Sequence, residues 1–281
     1  MNRYLILSAL IYLMMSCTSP KKQPNVVFIM IDDHAYQAIS AYGGTLNQTP
    51  NIDRLAKEGA IFTRATVTNS ICSPSRAVML TGKHSFMNGR IANSESFNWG
   101  QDNVAKQFKA VGYQTAMIGK IHMPGLPQGF DHFSVLEGQG KYYNPDFIQE
   151  GGKKKRYKGY CAHVIWDQVK EWLDTREEEK PFFLMYHPKA PHCTWMPEPK
   201  YFDLFEDKEF EMPESFYDDY KSRPSAAKQE MSIVEDMDLC YDLKMLDKEG
   251  EVKSRYRRNA QNLYNEWTIS KKLHGISTMS L

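Results

Sequence analysis

The run Val26 to Ile31, closed by Asp32-Asp33-His34, limits the fold more than any other feature of this chain. An unbroken apolar run leaves no face for water, so the segment is expected to be a strand covered on both sides, as in a largely parallel sheet. Tyr113 to Gly119 and Pro181 to Tyr186 repeat the pattern, and residues 60–66 are expected to add another strand. Helical patterns lie between them. Thr49 to Gly59 has Pro50 in its first turn, Ile52, Leu55 and Ala56 on one face and Gly59 as its stop. Pro74 to Leu80, Val104 to Val111 and Val164 to Leu173 are the others. Strands alternating with helices predict an α/β sandwich around a mainly parallel sheet. Chemistry in such sheets collects beyond the carboxyl ends of the strands. Asp32/Asp33, Lys120/His122 and His187/His192 each follow an expected strand, so they are expected to share one site.

A formal net charge of +1 over 281 residues gives no global field, and no nucleic-acid partner is expected. Lys153 to Arg156, and the acidic Glu177 to Glu179 after it, read as solvated loop charge. Residues 1–20 stand apart from the fold. Arg3 precedes an apolar stretch from Tyr4 to Met15, too short to span a bilayer, and Ser16-Cys17 follows. This resembles a bacterial lipoprotein signal, which implies a signal peptide over 1–17, a lipid anchor on Cys17 and a linker over 18–24. Simple cleavage near Ser19 is the alternative. Either reading takes the protein out of the cytoplasm, to the periplasm or its membrane. The five cysteines make no disulfide framework, and Cys161, Cys193 and Cys240 read as structural.

Two motifs point to chemistry. Adjacent Asp32 and Asp33 at a strand end repel each other unless a cation or donors intervene. A hard divalent ion suits them, and so does a loop in which one caps a helix. In Ser70-Ile71-Cys72-Ser73-Pro74-Ser75-Arg76, Pro74 is expected to start a helix, with Cys72 just ahead of its N-terminus. That end favours anions and lowers a thiol's pKa, and Arg76 adds a permanent charge one turn in. The residues alone fit a nucleophile facing an oxyanion-rich substrate and a redox thiol equally.

The segment Ser70 to Gly82 resembles, position for position, the signature of the type I sulfatases, which belong to the alkaline phosphatase-like superfamily. Gly112 to His122 resembles the second signature, with Ile121 as its departure. The likeness continues in Pro24 to Gly44, Gly129 to Phe133 and His187 to His192, and more weakly in Pro199 to Leu243. The resemblance implies that a maturation enzyme oxidises Cys72 to formylglycine. One oxygen of the hydrated aldehyde attacks sulfur in line, and the second expels sulfate. It further implies a calcium ion, with magnesium as the substitute, held by Asp32, Asp33 and residue 72. Arg76 and Lys120 would position the formylglycine. His122 would take a proton during sulfate elimination, and His192 would bind sulfate or protonate the leaving oxygen. The implied substrate is a sulfated carbohydrate, glycosaminoglycan or mucin glycan.

Relatives of this kind carry a second acidic metal pair, then a lysine, after the segment of His192. No such element stands between Trp195 and Leu281. Residues 25–281 therefore read as the N-terminal part of a sulfatase catalytic domain, incomplete at the C-terminus and impaired in activity. A phosphonate or phosphodiester hydrolase of the same superfamily and a non-catalytic glycan-binding lipoprotein are the competing readings.

Overall fold

The computed structural model describes residues 22–229 and 236–245, together with 251, 262, 264 and 265. The signal peptide expected over 1–17 and the anchor on Cys17 lie outside them. Among the described residues no helix is long and apolar enough to cross a membrane.

A sheet of six strands organises the molecule: β1 (Val26–Ile29), β2 (Gln114–Gly119), β3 (His132–Leu136), β4 (Asp146–Gln149), β5 (Lys153–Arg156) and β6 (Phe182–His187). Their order across the sheet is β1-β6-β2-β3-β4-β5. The first four in that order run parallel, whereas β4 and β5 are antiparallel to their neighbours. The expected α/β sandwich with a largely parallel sheet is therefore present.

Helices cover both faces of β2 and β6, as their continuous apolar runs require; β1, expected to be covered on both sides, instead leaves Val27 and Ile29 half exposed at the sheet margin. α1 spans Pro50–Glu58, α2 Cys72–Thr81, α3 Val104–Ala110 and α4 Cys161–Thr175. Met117 of β2 and Phe183 and Met185 of β6 face one cluster with Ala77 and Leu80 of α2 and Ala105 of α3. Their neighbours Ala116, Ile118, Phe182 and Leu184 point the other way, onto Val164, Ile165 and Val169 of α4. The period-2 alternation of each strand thus feeds two separate apolar layers.

Three expectations need correction. Residues 60–66 form turns and irregular chain rather than a strand. Phe62 there stays exposed, and no described strand offers it a ladder. Lys153 to Arg156 is not a loop but β5, paired to β4, with every side chain in solvent. Its charges are partly matched, since Arg156 holds Asp146 through two bonds of 2.7 and 2.8 Å. Helix α2 begins at Cys72 itself rather than after it, because Ile71 is already the extended N-cap residue.

The parallel strands bring their carboxyl ends to one rim. Gly119 of β2 pairs with His187 of β6, and just beyond, Asp32 bridges to Pro191. Gly119 has φ +112°, and a Cβ there would lie 2.0 Å from the His187 carbonyl oxygen. Only glycine permits that approach, which lets the Lys120 N–H donate to the same oxygen at 2.8 Å.

Candidate active site

Cys72 is the first residue of α2 and lies half-buried at the rim. Its Sγ is 3.2 Å from His122 Nδ1 and 3.6 Å from Asn93 Oδ1, and it also reaches His192. Burial pushes the thiol up. The hydrogen bonds from His122 and His192 and the charge of Lys120 more than reverse that and bring it down to about 5. His192 moves the opposite way. Hydrogen bonds to Cys193 and Cys72 push it up to about 10 against the effect of burial. At neutral pH the pair is a thiolate beside an imidazolium.

Beneath them lies a buried charged floor. Arg76, one turn into α2, is 2% exposed, and Lys120 at the end of β2 is fully buried. Asp32 serves both: Arg76 Nη2 donates to its Oδ1 at 3.1 Å, and Lys120 Nζ donates to its Oδ2. Burial alone would raise the Asp32 carboxyl, but the two cations outweigh it and hold it below the ordinary range. Burial lowers Lys120, with Asp32 partly opposing. Arg76 Nη1 also donates to the Lys120 carbonyl at 2.6 Å and lies 3.2 Å from His187 Nδ1. His187, the last residue of β6, is neutral, since burial and the Arg76 charge take it down to about 3.

Asp33 faces solvent, with Oδ2 3.7 Å from His192 Nε2. Both Asp33 and His122 adopt left-handed backbone, at φ +57° and +51°. Such positions are uncommon for residues other than glycine and cluster at functional sites. The structure therefore gathers Asp32, Asp33, Lys120, His122, His187 and His192 at one rim, as their places after the strands predict, and α2 brings Cys72 and Arg76 to the same rim. Cys193, read as structural, places its carbonyl oxygen and Sγ against the neighbouring His192 Nδ1.

Sequence reasoning misses Arg90. Its guanidinium is 1% exposed, donating from Nε to Ser73 Oγ at 2.7 Å and from Nη2 to the Asn93 carbonyl at 2.8 Å. A lone arginine after Gly89 carries no pattern that marks it. Tyr142 is also unmarked; its ring lies 4.7 Å from Lys189 Nζ, and its hydroxyl donates to the His192 carbonyl.

Asp32 and Asp33 are hard oxygen donors of the type calcium takes, but calcium needs about six to eight oxygens. Both Asp32 oxygens are held by Arg76 and Lys120, and no group of three His, Cys, Asp or Glu forms a metal set among the described residues. The described residues do not make a calcium cage.

A family model described as Sulfatase matches residues 24–262. An N-acetylglucosamine-6-O-sulfatase of Bacteroides thetaiotaomicron is 44% identical over 267 residues, covering 90% of this chain and 48% of that protein. A human N-acetylglucosamine-6-sulfatase is 28% identical over 209 residues, covering 66% of this chain and 37% of its own. A solved structure holding its substrate D-glucosamine-2-N,6-O-disulfate superposes with a TM-score of 0.81 at 42% identity, over 90% of this chain and 53% of that one. The chain thus spans about half the length of the relatives it matches.

Proposed function

We propose, from the premise that this chain belongs to the sulfatase family, that it removes sulfate from a sulfated carbohydrate, with 6-O-sulfated glucosamine as the substrate class. The observation that carries the reading is the set around residue 72: an anion-favouring helix start flanked by His122 and His192, over the paired cations Arg76 and Lys120. The Bacteroides relative and the substrate named for the superposed structure support the choice of sugar.

In this reading a maturation enzyme converts Cys72 to formylglycine, whose hydrate supplies an oxygen nucleophile and a second hydroxyl for release. The chain's own residues do the rest. The α2 N-terminus and Arg76 attract the sulfate group, and the buried charge of Lys120 steadies the negative charge that grows beside residue 72. His192 gives a proton to the departing sugar oxygen. His122, against residue 72, takes a proton from it. No step is routed through calcium, because the described residues do not enclose one. Export and a lipid anchor on Cys17 belong to the same proposal, supported by the apolar stretch that ends at Ser16-Cys17.

The test is release of inorganic sulfate from glucosamine 6-O-sulfate by the full chain made with a formylglycine-generating enzyme, with calcium added. Release that disappears in Cys72→Ala supports the proposal. A preference for phosphodiesters, or a Cys72 peptide that stays an unmodified thiol after maturation, overturns it.

A further inference from the structure

The floor of the site is crowded with charge, but one polar group on its rim is uncommitted. Residues 90–95 form a short arm beside Cys72. Asn69 Nδ2 ties the Ile91 carbonyl at 3.2 Å, Arg90 Nη2 ties the Asn93 carbonyl at 2.8 Å, and the Ala92 N–H donates to Glu95. Arg90 also anchors the arm to α2 through Ser73 Oγ, whose own residue is fully buried. The arm is tied to the rest of the protein at Arg90, Ile91 and Asn93 and braced internally by Arg90 and Glu95.

This fixes the Asn93 carboxamide. Oδ1 accepts the Ser73 N–H at 3.3 Å and lies 3.6 Å from Cys72 Sγ. An amide with its oxygen so assigned turns its two Nδ2 hydrogens away from the backbone of α2. The side chain is exposed at the mouth of the site. Arg90 Nη1, buried without a partner, adds positive charge under the same arm.

We infer that Asn93 is a specificity-determining residue, donating from Nδ2 to an oxygen substituent of the sugar, and that Arg90 is the positioning residue that aims it. The inference rests on the sulfatase reading. In that reading the sulfate sits at residue 72 between His122 and His192, so an exposed donor at the mouth meets the part of the substrate that leads away from sulfur. A polar site built for one hydrogen bond discriminates against ligands that lack the partner.

The experiment uses the full chain carrying Cys72→Ser, which prevents turnover, and titrates it by calorimetry with glucosamine 6-O-sulfate and, separately, inorganic sulfate. Asn93→Ala is expected to weaken the sugar about tenfold and leave inorganic sulfate within about twofold. Arg90→Lys is expected to lower the ratio of sugar to sulfate affinity in the same direction. An unchanged thermal melt for Asn93→Ala keeps folding out of the comparison. Equal loss for both ligands, or loss for neither, overturns the inference while the sulfatase reading stands. A parent chain that binds sulfate but not the sugar, or binds neither, overturns the substrate reading and this inference together.

Discussion

Replacing Asp32 by asparagine removes the one carboxylate that serves two buried cations. At 3.1 Å and an effective dielectric constant of about 20, Arg76 alone attracts it by about 5 kcal/mol. Desolvation of all three groups offsets much of that, but it does not vanish when one partner is deleted. Lys120 and Arg76 would stay buried with their charge uncompensated. Breaking such a pair costs about 3–5 kcal/mol. For a domain of this size that is a fall in Tm of roughly 10 °C. Lys120→Met leaves the Asp32–Arg76 pair intact and is expected to cost about 1 kcal/mol. In the double variant Asp32→Asn/Lys120→Met one of the two charges left without a partner, that of Lys120, is gone while Arg76 remains, so about 2 kcal/mol of the loss should return. Urea unfolding of the full chain followed by far-UV circular dichroism measures all three. The pH dependence has a definite sign. The Asp32 carboxyl is depressed in the folded state, so its contribution is present above about pH 4, the unfolded value, and is lost as pH falls through the lower folded value. Asp32→Asn should remove that part of the acid limb. A cost under about 1 kcal/mol for the single variant, or strict additivity in the double, refutes the account of the floor.

Three further outcomes follow from the same geometry. Lys189 is buried and, through burial and the nearby Lys120 charge, is taken down to about 8. The unfolded state therefore binds more protons between pH 8 and about 10.4, so stability rises with pH across that window. Lys189→Met should flatten the rise and stabilise at pH 7 by on the order of 1 kcal/mol, after losing the contact with the Tyr142 ring; thermal melts at pH 7 and 9.5 check both. In chain made without maturation, Cys72 should alkylate with a midpoint near 5, and His122→Ala should move that midpoint upward; a midpoint in the ordinary thiol range for the parent refutes the pairing. His192→Ala should slow sulfate release about 10²–10⁴-fold on a sugar substrate and far less on an activated aryl sulfate, whose leaving oxygen needs no proton. Equal loss on both would remove His192 from that role.

Much of the parallel half was legible in the sequence. Tyr113 to Gly119 has no polar face and is buried on both sides as β2, whereas Val26 to Ile31, which reads the same, forms a strand at the sheet margin that leaves Val27 and Ile29 half exposed. The rim followed from the same strands, since Asp32, Lys120 and His187 stand one or two places past the apolar residues. The antiparallel half was hidden. Strand β5 carries Lys153-Lys154-Lys155-Arg156, and its place in the sheet comes from backbone pairing with β4, which side-chain pattern does not report. Residues 60–66 show the reverse case, where apolar, β-branched composition finds no strand to pair with among the described residues. Arg90 was invisible because its role depends on where the Ser73 hydroxyl, seventeen residues earlier, arrives beside the nearby Asn93 carbonyl, and no local pattern reports that.

The two margins of the sheet behave as opposites. On one side no described strand follows β5, where exposed Lys153 and Lys155 oppose a second copy approaching it and Lys154 and Arg156 are matched by Glu137 and Asp146. On the other, β1 carries Val27 and Ile29 about half exposed, and no described strand caps it. Among the described residues the two margins thus differ in what they offer a second copy: apolar side chains at β1 and charge at β5. A charged residue placed at Val27 would then be a solubility handle on the side of the sheet that β5 leaves unguarded.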